Sequence, residues 1–318
     1  MTFEEFAGYV RTHIPQFLFE DETKDTEGRA GISRVLKNNG RALCCLTVFA
    51  PGEHASPAIY LDAYYEKYVR RLELEGETAS SSILKDLVRE IGEEYRRAVR
   101  LREMVPFDPE DFTGIRDKIF FCLVNYERNR ELLRTCPHLR LGDLALTFRI
   151  LVSRRDDVIA SAMVTDSLIE SWGLSVRELA GISGSGTRSL FPPVIRLLEE
   201  ILPGEMIEGQ MDEPVYVISN ETGVNGAAVM FYKGVLEELA DQLYDDLYIL
   251  PSSIHEILVI PAGTGRNPEK LRDMVREVNA TAVRDEDYLS DALYFYDRES
   301  AGIRVWEPEG MTRALLPF

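Results

Sequence analysis

The chain has 318 residues, of which 45% are hydrophobic, and a formal net charge of −18. A chain of this length buries a substantial core and is expected to form about two domains. Its 54 acidic residues outnumber 36 basic ones, so unaided binding to nucleic acid phosphates or to an anionic membrane is unfavourable over the whole surface.

The N-terminus and the cysteines carry no signature of export. The opening MTFEEFAGYVRTHIPQF is acidic and helical in pattern, and no apolar run reaches the length of about 18 residues that a membrane span needs. Cys44, Cys45, Cys122 and Cys136 contain no C-x-x-C pair, so we predict reduced structural cysteines rather than a zinc site or disulfides. We expect a cytoplasmic protein with no membrane span.

The N-terminal part predicts helices that cover a hairpin. Thr2 and Glu5 form a capping box, and a helix follows until Pro15. Asn39-Gly40 lies between two strand-like runs, which favours a type I′ turn. The segments AIYLDAYYEKYVRRLELEG and, beyond it, the apolar stripe that begins at Leu84 predict two further helices.

The remainder predicts an α+β fold, with antiparallel or mixed sheets and packed helices. From Lys118 the order is strand KIFFCLVN, helix YERNRELLRTC, two strands and the helix DSLIESWG. A similar order follows residue 214, with VYVISN and AAVMFYK as strands. We interpret these as two related strand-helix-strand-strand-helix units, spaced by about 100 residues. ALYFYDRESAGIRVW predicts a final hairpin.

Two stretches rich in Gly, Ser and Pro lie between these parts. GISGSGTRSLFPP predicts a flexible connection, and ILPGEMIEGQMDEP predicts a domain boundary near residue 205. We therefore expect an N-terminal α+β region over 1–205 and a C-terminal α+β region over 206–318.

The segments KNNG, AIYLDAYYEKY, NYERNRELL, LGDLALTF, LYILPSSIHEILVIP, MVREVN and LSDALYFYDRES occur in this order. In this respect the chain resembles a bacterial family known as a domain of unknown function, found in anaerobic gut-type Gram-positive bacteria. The resemblance implies membership without an activity, cofactor or catalytic residue. GISGSGTRS departs from the family pattern, which is usually charged and helical there.

Ser253, His255 and Glu256 gather nucleophile, base and acid within DLYILPSSIHEILVIP. A serine hydrolase needs a base within reach of the serine and a third group that orients the base. On a strand, Glu256 points away from its neighbour His255, and the chain offers no G-x-S-x-G elbow. A catalytic pair of Ser253 and His255 therefore stays an alternative hypothesis.

A structural interpretation of the same stretch is stronger. The runs on either side are apolar on both faces, which is typical of buried central strands. Pro251 and the two serines make a competent three-residue connection, which would place Ile249 opposite His255 and Tyr248 opposite Glu256.

Two other segments are candidate ligand-binding sites. Arg266 and Asn267 follow a glycine-bearing loop at a predicted helix start, where free amides can meet an anion, although ordinary capping explains the pattern as well. Tyr126 and Arg128 follow an apolar strand, at the kind of strand end where sites form, and a structural network is the alternative.

The sequence supports no metal or cofactor site. The four histidines are widely separated, and the acidic groups DPED and RDED suit helix starts or turns. Our leading hypothesis is a non-enzymatic binding or regulatory protein that acts through protein contacts. The alternatives are a hydrolase that uses Ser253 and His255, and an acidic mimic of nucleic acid.

Overall fold

The computed structural model describes residues 1–19, 30–49, 57–104, 107–155, 158–201, 214–251, 253–311 and 314–315. The chain divides into two compact units. Met1–Lys37 and Arg41–Phe107 form the first, and Asn38–Gly40 with Asp108–Phe318 form the second. The domain boundary predicted near residue 205 lies outside the described residues. The α+β class is confirmed, because helices pack on open antiparallel sheets.

In the described part of the first unit, three helices accompany an antiparallel sheet with strand order β1-β2-β3. The elements are α1 (Phe3–Leu18), β1 (Ala30–Leu36), β2 (Ala42–Val48), β3 (Ile59–Tyr60), α2 (Asp62–Glu75) and α3 (Ser80–Met104). The apolar faces of α1 and α3 bury side chains such as Phe6, Val10 and Ile91 against Leu46 of the sheet. Burial of these stripes, rather than helix propensity, holds the helices in place.

The elements at the start of the chain agree closely with those predicted from the sequence. Thr2 and Glu5 form the predicted capping box, although the helix continues past Pro15 to Leu18. The predicted hairpin is present, and Asn39 (φ 57°) and Gly40 (φ 73°) both have positive φ. Its connection is longer than a two-residue turn, because the last strand pair joins Leu36 to Ala42.

The second unit carries two antiparallel sheets. Its helices are α4 (Phe112–Ile115), α5 (Asp166–Trp172), α6 (Val176–Leu190), α7 (Leu198–Ile201), α8 (Val235–Leu243) and α9 (Pro268–Thr281). Its strands are β4 (Ile119–Asn125), β5 (His138–Leu141), β6 (Leu144–Arg155), β7 (Val158–Met163), β8 (Pro193–Leu197), β9 (Tyr216–Asn220), β10 (Leu247–Leu250), β11 (Ile257–Pro261), β12 (Leu293–Asp297), β13 (Gly302–Glu307) and β14 (Gly310–Met311).

The strand orders of these sheets argue against the internal duplication. One sheet has the order β4-β6-β5 with β7 paired to β6, and the other has the order β14-β13-β12-β10-β11-β9-β8. The first strand of the earlier predicted unit, β4, pairs with the next long strand β6. The corresponding strand β9 pairs instead with β11, the later of the two that follow it. The two predicted units therefore have a similar order of elements along the chain but a different pairing of strands.

GISGSGTRS is not a flexible connection, because α6 runs through it without interruption. The small residues let this helix lie directly against the edge of β4. A Cβ atom at Gly186 would come within 2.7 Å of the Ile119 carbonyl oxygen. Thr187 uses its hydroxyl to accept a hydrogen bond from Phe121 N at 3.0 Å, which satisfies an amide at the strand edge. Tertiary contact thus outweighs the low helix propensity of glycine and serine.

Two other predicted elements differ in the structure. The segment from Tyr126 forms turns rather than a helix, because Asn125 Oδ1 accepts from Arg128 N and Asn129 Nδ2 donates to Asn125 O. Gly226–Phe231 forms a buried 3-10 turn rather than a strand. By contrast, the final hairpin is confirmed as β12 and β13.

The β10–β11 pair confirms two mostly buried strands but corrects their register. Leu250 pairs with Leu258 and Ile249 with Val259, so Ile249 does not lie opposite His255. The connection lengthens because Ser253 Oγ accepts from His255 N at 3.0 Å and closes a turn before β11 begins at Ile257. His255 therefore lies in a loop, and the alternation argument that separated it from Glu256 does not apply. Ser252 lies outside the described residues.

No helix within the described ranges is long and apolar enough to cross a bilayer.

Two glycines of α6 provide a matched test of its packing. Gly186→Ala is expected to destabilise the fold by about 1–3 kcal/mol, because the new methyl group meets backbone of β4. Gly181→Ala has nothing within 4 Å of its new Cβ atom and should stabilise the same helix by about 0.5–1 kcal/mol. Urea unfolding of both variants measures the difference; equal effects of the two substitutions would contradict the close approach.

Candidate functional site

An open cleft of about 1050 Å³ lies in the second unit. Among its lining residues are four arginines and two aromatic side chains, which we call the arginine cleft: Arg128, Arg140, Arg272, Arg276, Tyr288 and Trp306. These residues come from five separate parts of the chain. A concave surface with convergent polar groups is the usual form of a binding site.

Secondary structure positions each arginine at the cleft. Arg128 follows β4 in the turn that Asn125 stabilises, and Arg140 lies on β5. Arg272 and Arg276 are four residues apart on α9, so they share one face of the helix. That helix packs against β10 and β12 through Leu271 and other apolar residues.

Three of the guanidinium groups lie over aromatic rings. The distance from the guanidinium carbon to the ring centroid is 3.6 Å for Arg128 over Tyr288 and 4.0 Å for Arg140 over Tyr126. It is 5.5 Å for Arg272 over Trp306. Stacking holds the flat face of a guanidinium and leaves its N–H edge directed outward, where a carboxylate or phosphate can meet it.

Some of the carboxylates that line the cleft already bind other side chains of the protein. Glu127 pairs with Arg130 at 2.6 Å and with Arg140 at 3.6 Å. Asp291 accepts from Asn279 Nδ2 at 2.8 Å. Glu307 and Glu309 are exposed near the β13–β14 turn. Arg276 is also paired, with Asp273 at 3.7 Å, whereas Arg272 has no carboxylate partner in the described part of the chain.

Arg128 and Arg272 retain the greatest capacity for a ligand. The Arg128 ion pair with Asp285 spans 3.5 Å to a fully exposed carboxylate, an arrangement that contributes little in water. Arg272 Nε is buried and has no hydrogen-bond partner in the described part of the chain. Because a buried donor without a partner costs free energy, this atom is the clearest unmet polar group at the cleft.

Asp143 lines the cleft and is held in place by hydrogen bonds. Its two oxygens accept from Ser290 Oγ at 2.5 Å and from the Tyr294 hydroxyl at 2.6 Å. Nearby, Asn125 Nδ2 donates to Leu289 O at 3.0 Å. These bonds join the β4–β6 region of one sheet to β12 of the other. Burial, followed by the charge of Asp143, holds the pKa of Tyr294 well above its usual value, so the hydroxyl stays a donor.

The candidate site residues predicted from the sequence lie at separate locations in the structure. Arg128 lines the cleft, and Tyr126 supports Arg140 there. Asn267 caps α9, where its side chain accepts from Glu269 N at 2.8 Å and Lys270 N at 3.4 Å. Those amides are therefore occupied, and neither Asn267 nor Arg266 is among the described residues of the cleft lining.

His255 lies in a different cluster. Its Nε2 is 3.0 Å from Asp287 Oδ1, and Asp287 Oδ2 accepts from Arg284 Nη2 at 2.7 Å. Its Nδ1 accepts from Asn225 N at 3.3 Å, which assigns the ring proton to Nε2. Both nitrogens thus contact the protein.

The Ser253 hydroxyl stabilises the turn and does not bind the imidazole ring of His255. Its Oγ accepts from the His255 backbone amide, and no hydrogen bond joins it to the imidazole in the described structure. Asp287 is the third group that the sequence did not identify, although it belongs to the acidic segment RDED. Its role became visible only when the fold brought it to His255.

The described residues contain no group of three or more His, Cys, Asp or Glu side chains placed to hold a metal ion. All four cysteines are free and buried. Burial raises the pKa of Cys122 and of Cys136 to about 11, so both remain protonated thiols near neutral pH.

Sequence reasoning missed Arg140, Arg272, Arg276 and Trp306. The spacing of Arg272 and Arg276 by one helical turn, beside the buried face of α9, is the signal that was available. Trp306 carried no such signal, because its register opposite Leu293 is set by the sheet.

Tyr294→Phe tests the hydrogen bond that holds Asp143 at the cleft. Loss of a buried hydrogen bond to Asp143 should cost about 1–3 kcal/mol of unfolding free energy. Tyr296→Phe is the matched control on β12, because the Tyr296 hydroxyl makes no hydrogen bond to a described residue, and it should change stability by less than about 0.5 kcal/mol.

The same pair predicts a pH dependence. An unfolded tyrosine ionises near pH 10, whereas folded Tyr294 keeps its proton. The advantage of the wild type over Tyr294→Phe is therefore fully present below about pH 10 and lost as the pH rises beyond it. Urea unfolding at several alkaline pH values measures this, and a pH-independent difference would contradict the assigned bond.

Comparison with known proteins gives one match. The model of a family of unknown function, DUF5688, covers residues 3–298. No curated protein and no solved structure matches the chain significantly. Because the family model covers nearly the whole chain, as the segment resemblance predicted, the chain belongs to the DUF5688 family.

Proposed function

We propose that this protein is a cytoplasmic, non-enzymatic binding protein whose arginine cleft takes an acidic segment of a partner protein. The observation that carries the proposal is the convergence of four arginines on one open cleft in a chain of net charge −18. Arginine is the side chain best suited to bidentate carboxylate recognition, and it is enriched in protein interfaces.

The size of the cleft supports a peptide over a small molecule. Its volume of about 1050 Å³ is at the upper end of the range for small-ligand pockets, and it is open to solvent. Tyr288 and Trp306 supply flat apolar surface beside the charges. This combination of aromatic anchors and arginines is typical of residues that dominate binding energy at interfaces.

The charge distribution favours a short acidic segment over a long polyanion. Glu307 and Glu309 line the cleft near the β13–β14 turn and repel any anion there, so the negative charge of a ligand must be short enough to stay beside the arginines, which a phosphate backbone is not. The net charge of −18 adds repulsion over distance. A cleft that attracts carboxylates also fits poorly with a surface that imitates nucleic acid.

Peptide selection tests this proposal. A random dodecapeptide phage library selected on the full-length protein should yield sequences enriched in Asp and Glu. Arg272→Glu with Arg276→Glu should weaken binding of a selected peptide by at least about tenfold, because charge-assisted hydrogen bonds contribute about 1.5–3 kcal/mol each. Fluorescence anisotropy with the labelled peptide measures the affinity.

The controls separate binding from folding. Arg276→Glu alone alters a side chain that is 52% exposed and should retain the fold while weakening binding. Arg177→Glu reverses an exposed charge on α6, away from the cleft, and should leave affinity unchanged. Selected peptides without acidic enrichment, or equal losses from Arg276→Glu and Arg177→Glu, would reject the proposal.

The contact between Asp287 and His255 favours the hydrolase as a second candidate, because it supplies the orienting acid. The requirement still missing is a hydrogen bond from the serine to the ring, since Nδ1 faces Asn225 N. We therefore expect that a fluorophosphonate probe will label wild type and Ser253→Ala to the same background extent. Labelling that depends on Ser253 and His255 would instead establish the hydrolase; mass spectrometry of the labelled peptide provides the measurement.

A further inference from the structure

A second, smaller cavity of about 160 Å³ lies in the second unit, between β4 and α6. We call it the β4–α6 cavity. Its apolar wall includes Phe120 and Phe191, whose ring centroids are 4.8 Å apart, and Ile159 of β7. Phe121 meets Tyr232 edge-on at 5.8 Å on another side. The volume is close to that of a cavity of about 150 Å³ that holds benzene.

Arg149 supplies the charge in this cavity. Among the described lining residues, Arg149 is the one side chain that is charged at neutral pH. Its Nε donates to Ser161 Oγ at 2.9 Å and its Nη2 to Ser161 O at 3.3 Å. Within the part of the chain that the structure describes, Arg149 has no ion pair and Nη1 has no hydrogen bond. A partly buried guanidinium without a counter-ion favours an anion.

Tyr232 supplies a second donor. The residue is buried, and its hydroxyl has no hydrogen-bond partner in the described structure. The neighbouring Asn220 amide already donates to Val224 O at 2.9 Å and accepts from the Thr222 hydroxyl at 2.7 Å. Burial, with a smaller contribution from Cys122, raises the pKa of Tyr232 well above its usual value although the nearby Asn220 side chain opposes the shift, so the hydroxyl keeps its proton.

We propose that the β4–α6 cavity binds a small organic carboxylate with an apolar body of about benzene size. The carboxylate accepts hydrogen bonds from Arg149 and Tyr232, and the apolar body packs against the wall that Phe120 and Phe191 form together. Charge-assisted bonds from arginine are strong and directional, and the aromatic walls supply dispersion contacts. This site is independent of the arginine cleft and of the proposed peptide binding.

Tyr232 is expected to favour ligand binding at the expense of stability. A buried hydroxyl without a partner costs free energy in the empty protein, and replacement by an apolar group of similar shape removes that cost. Tyr232→Phe should therefore unfold at the same temperature as the wild type or at a higher one, while it binds the carboxylate less tightly. A hydroxyl with a purely structural role would show the opposite change in stability.

Isothermal titration calorimetry on the full chain provides the test, with acetate, isobutyrate, benzoate and phenylacetate as probes up to about 10 mM, enough to detect a dissociation constant near 1 mM. At least one probe, with benzoate the best candidate by size, should bind one site per chain. Benzamide, which has the same shape without the charge, and inorganic phosphate should not bind.

Variants assign the binding to this cavity. Arg149→Met should weaken binding at least about tenfold, and Tyr232→Phe about three- to tenfold. Arg177→Met, on the exposed face of α6, should bind like the wild type. No binding by any of the four carboxylates, or affinities unchanged in both Arg149→Met and Tyr232→Phe, would overturn the proposal. Thermal unfolding without ligand confirms that each variant folds.

Discussion

The second unit depends on a partly buried carboxylate that joins its two sheets. Asp143, in the turn between β5 and β6, accepts hydrogen bonds from Ser290 and Tyr294, which precede and lie on β12. Because both oxygens of this partly buried carboxylate accept from residues at or on β12, these bonds fix one sheet relative to the other within this unit. The arginine cleft lies above this junction. Its geometry is therefore set by the same contacts that stabilise the core.

This arrangement explains how an acidic chain can gather four arginines in one cleft. Stacking on Tyr288, Tyr126 and Trp306 positions three of the arginines by their flat faces. The ion pairs of Arg128 and Arg140 are long, at 3.5 and 3.6 Å, and Arg272 has no carboxylate partner in the described part of the chain, so their edges can still meet a ligand. The same principle appears in the β4–α6 cavity, where Ser161 holds Arg149 through neutral groups. Local chemistry, rather than net charge, thus determines which ligands these sites favour.

Local patterns were sufficient for much of the fold. The capping box at Thr2, the hairpin at Asn39-Gly40 and the helix that begins after Asn267 follow from side-chain chemistry within a few residues. The failures depend on distant contacts. Gly186 is helical because β4 passes close beside it, and the loop at His255 is longer because Ser253 and Asp287 engage that residue. The site was only partly predictable for the same reason, since Arg128 and Arg272 are 144 positions apart.

A crystal structure of the full chain with a selected acidic peptide would show whether the arginine cleft is the binding site. We expect peptide carboxylates within hydrogen-bond distance of Arg128 and Arg272, with a bond to the buried Nε of Arg272 or a rearrangement that gives it a partner. Peptide bound elsewhere on the surface, with both arginines as they are in the free protein, would contradict it.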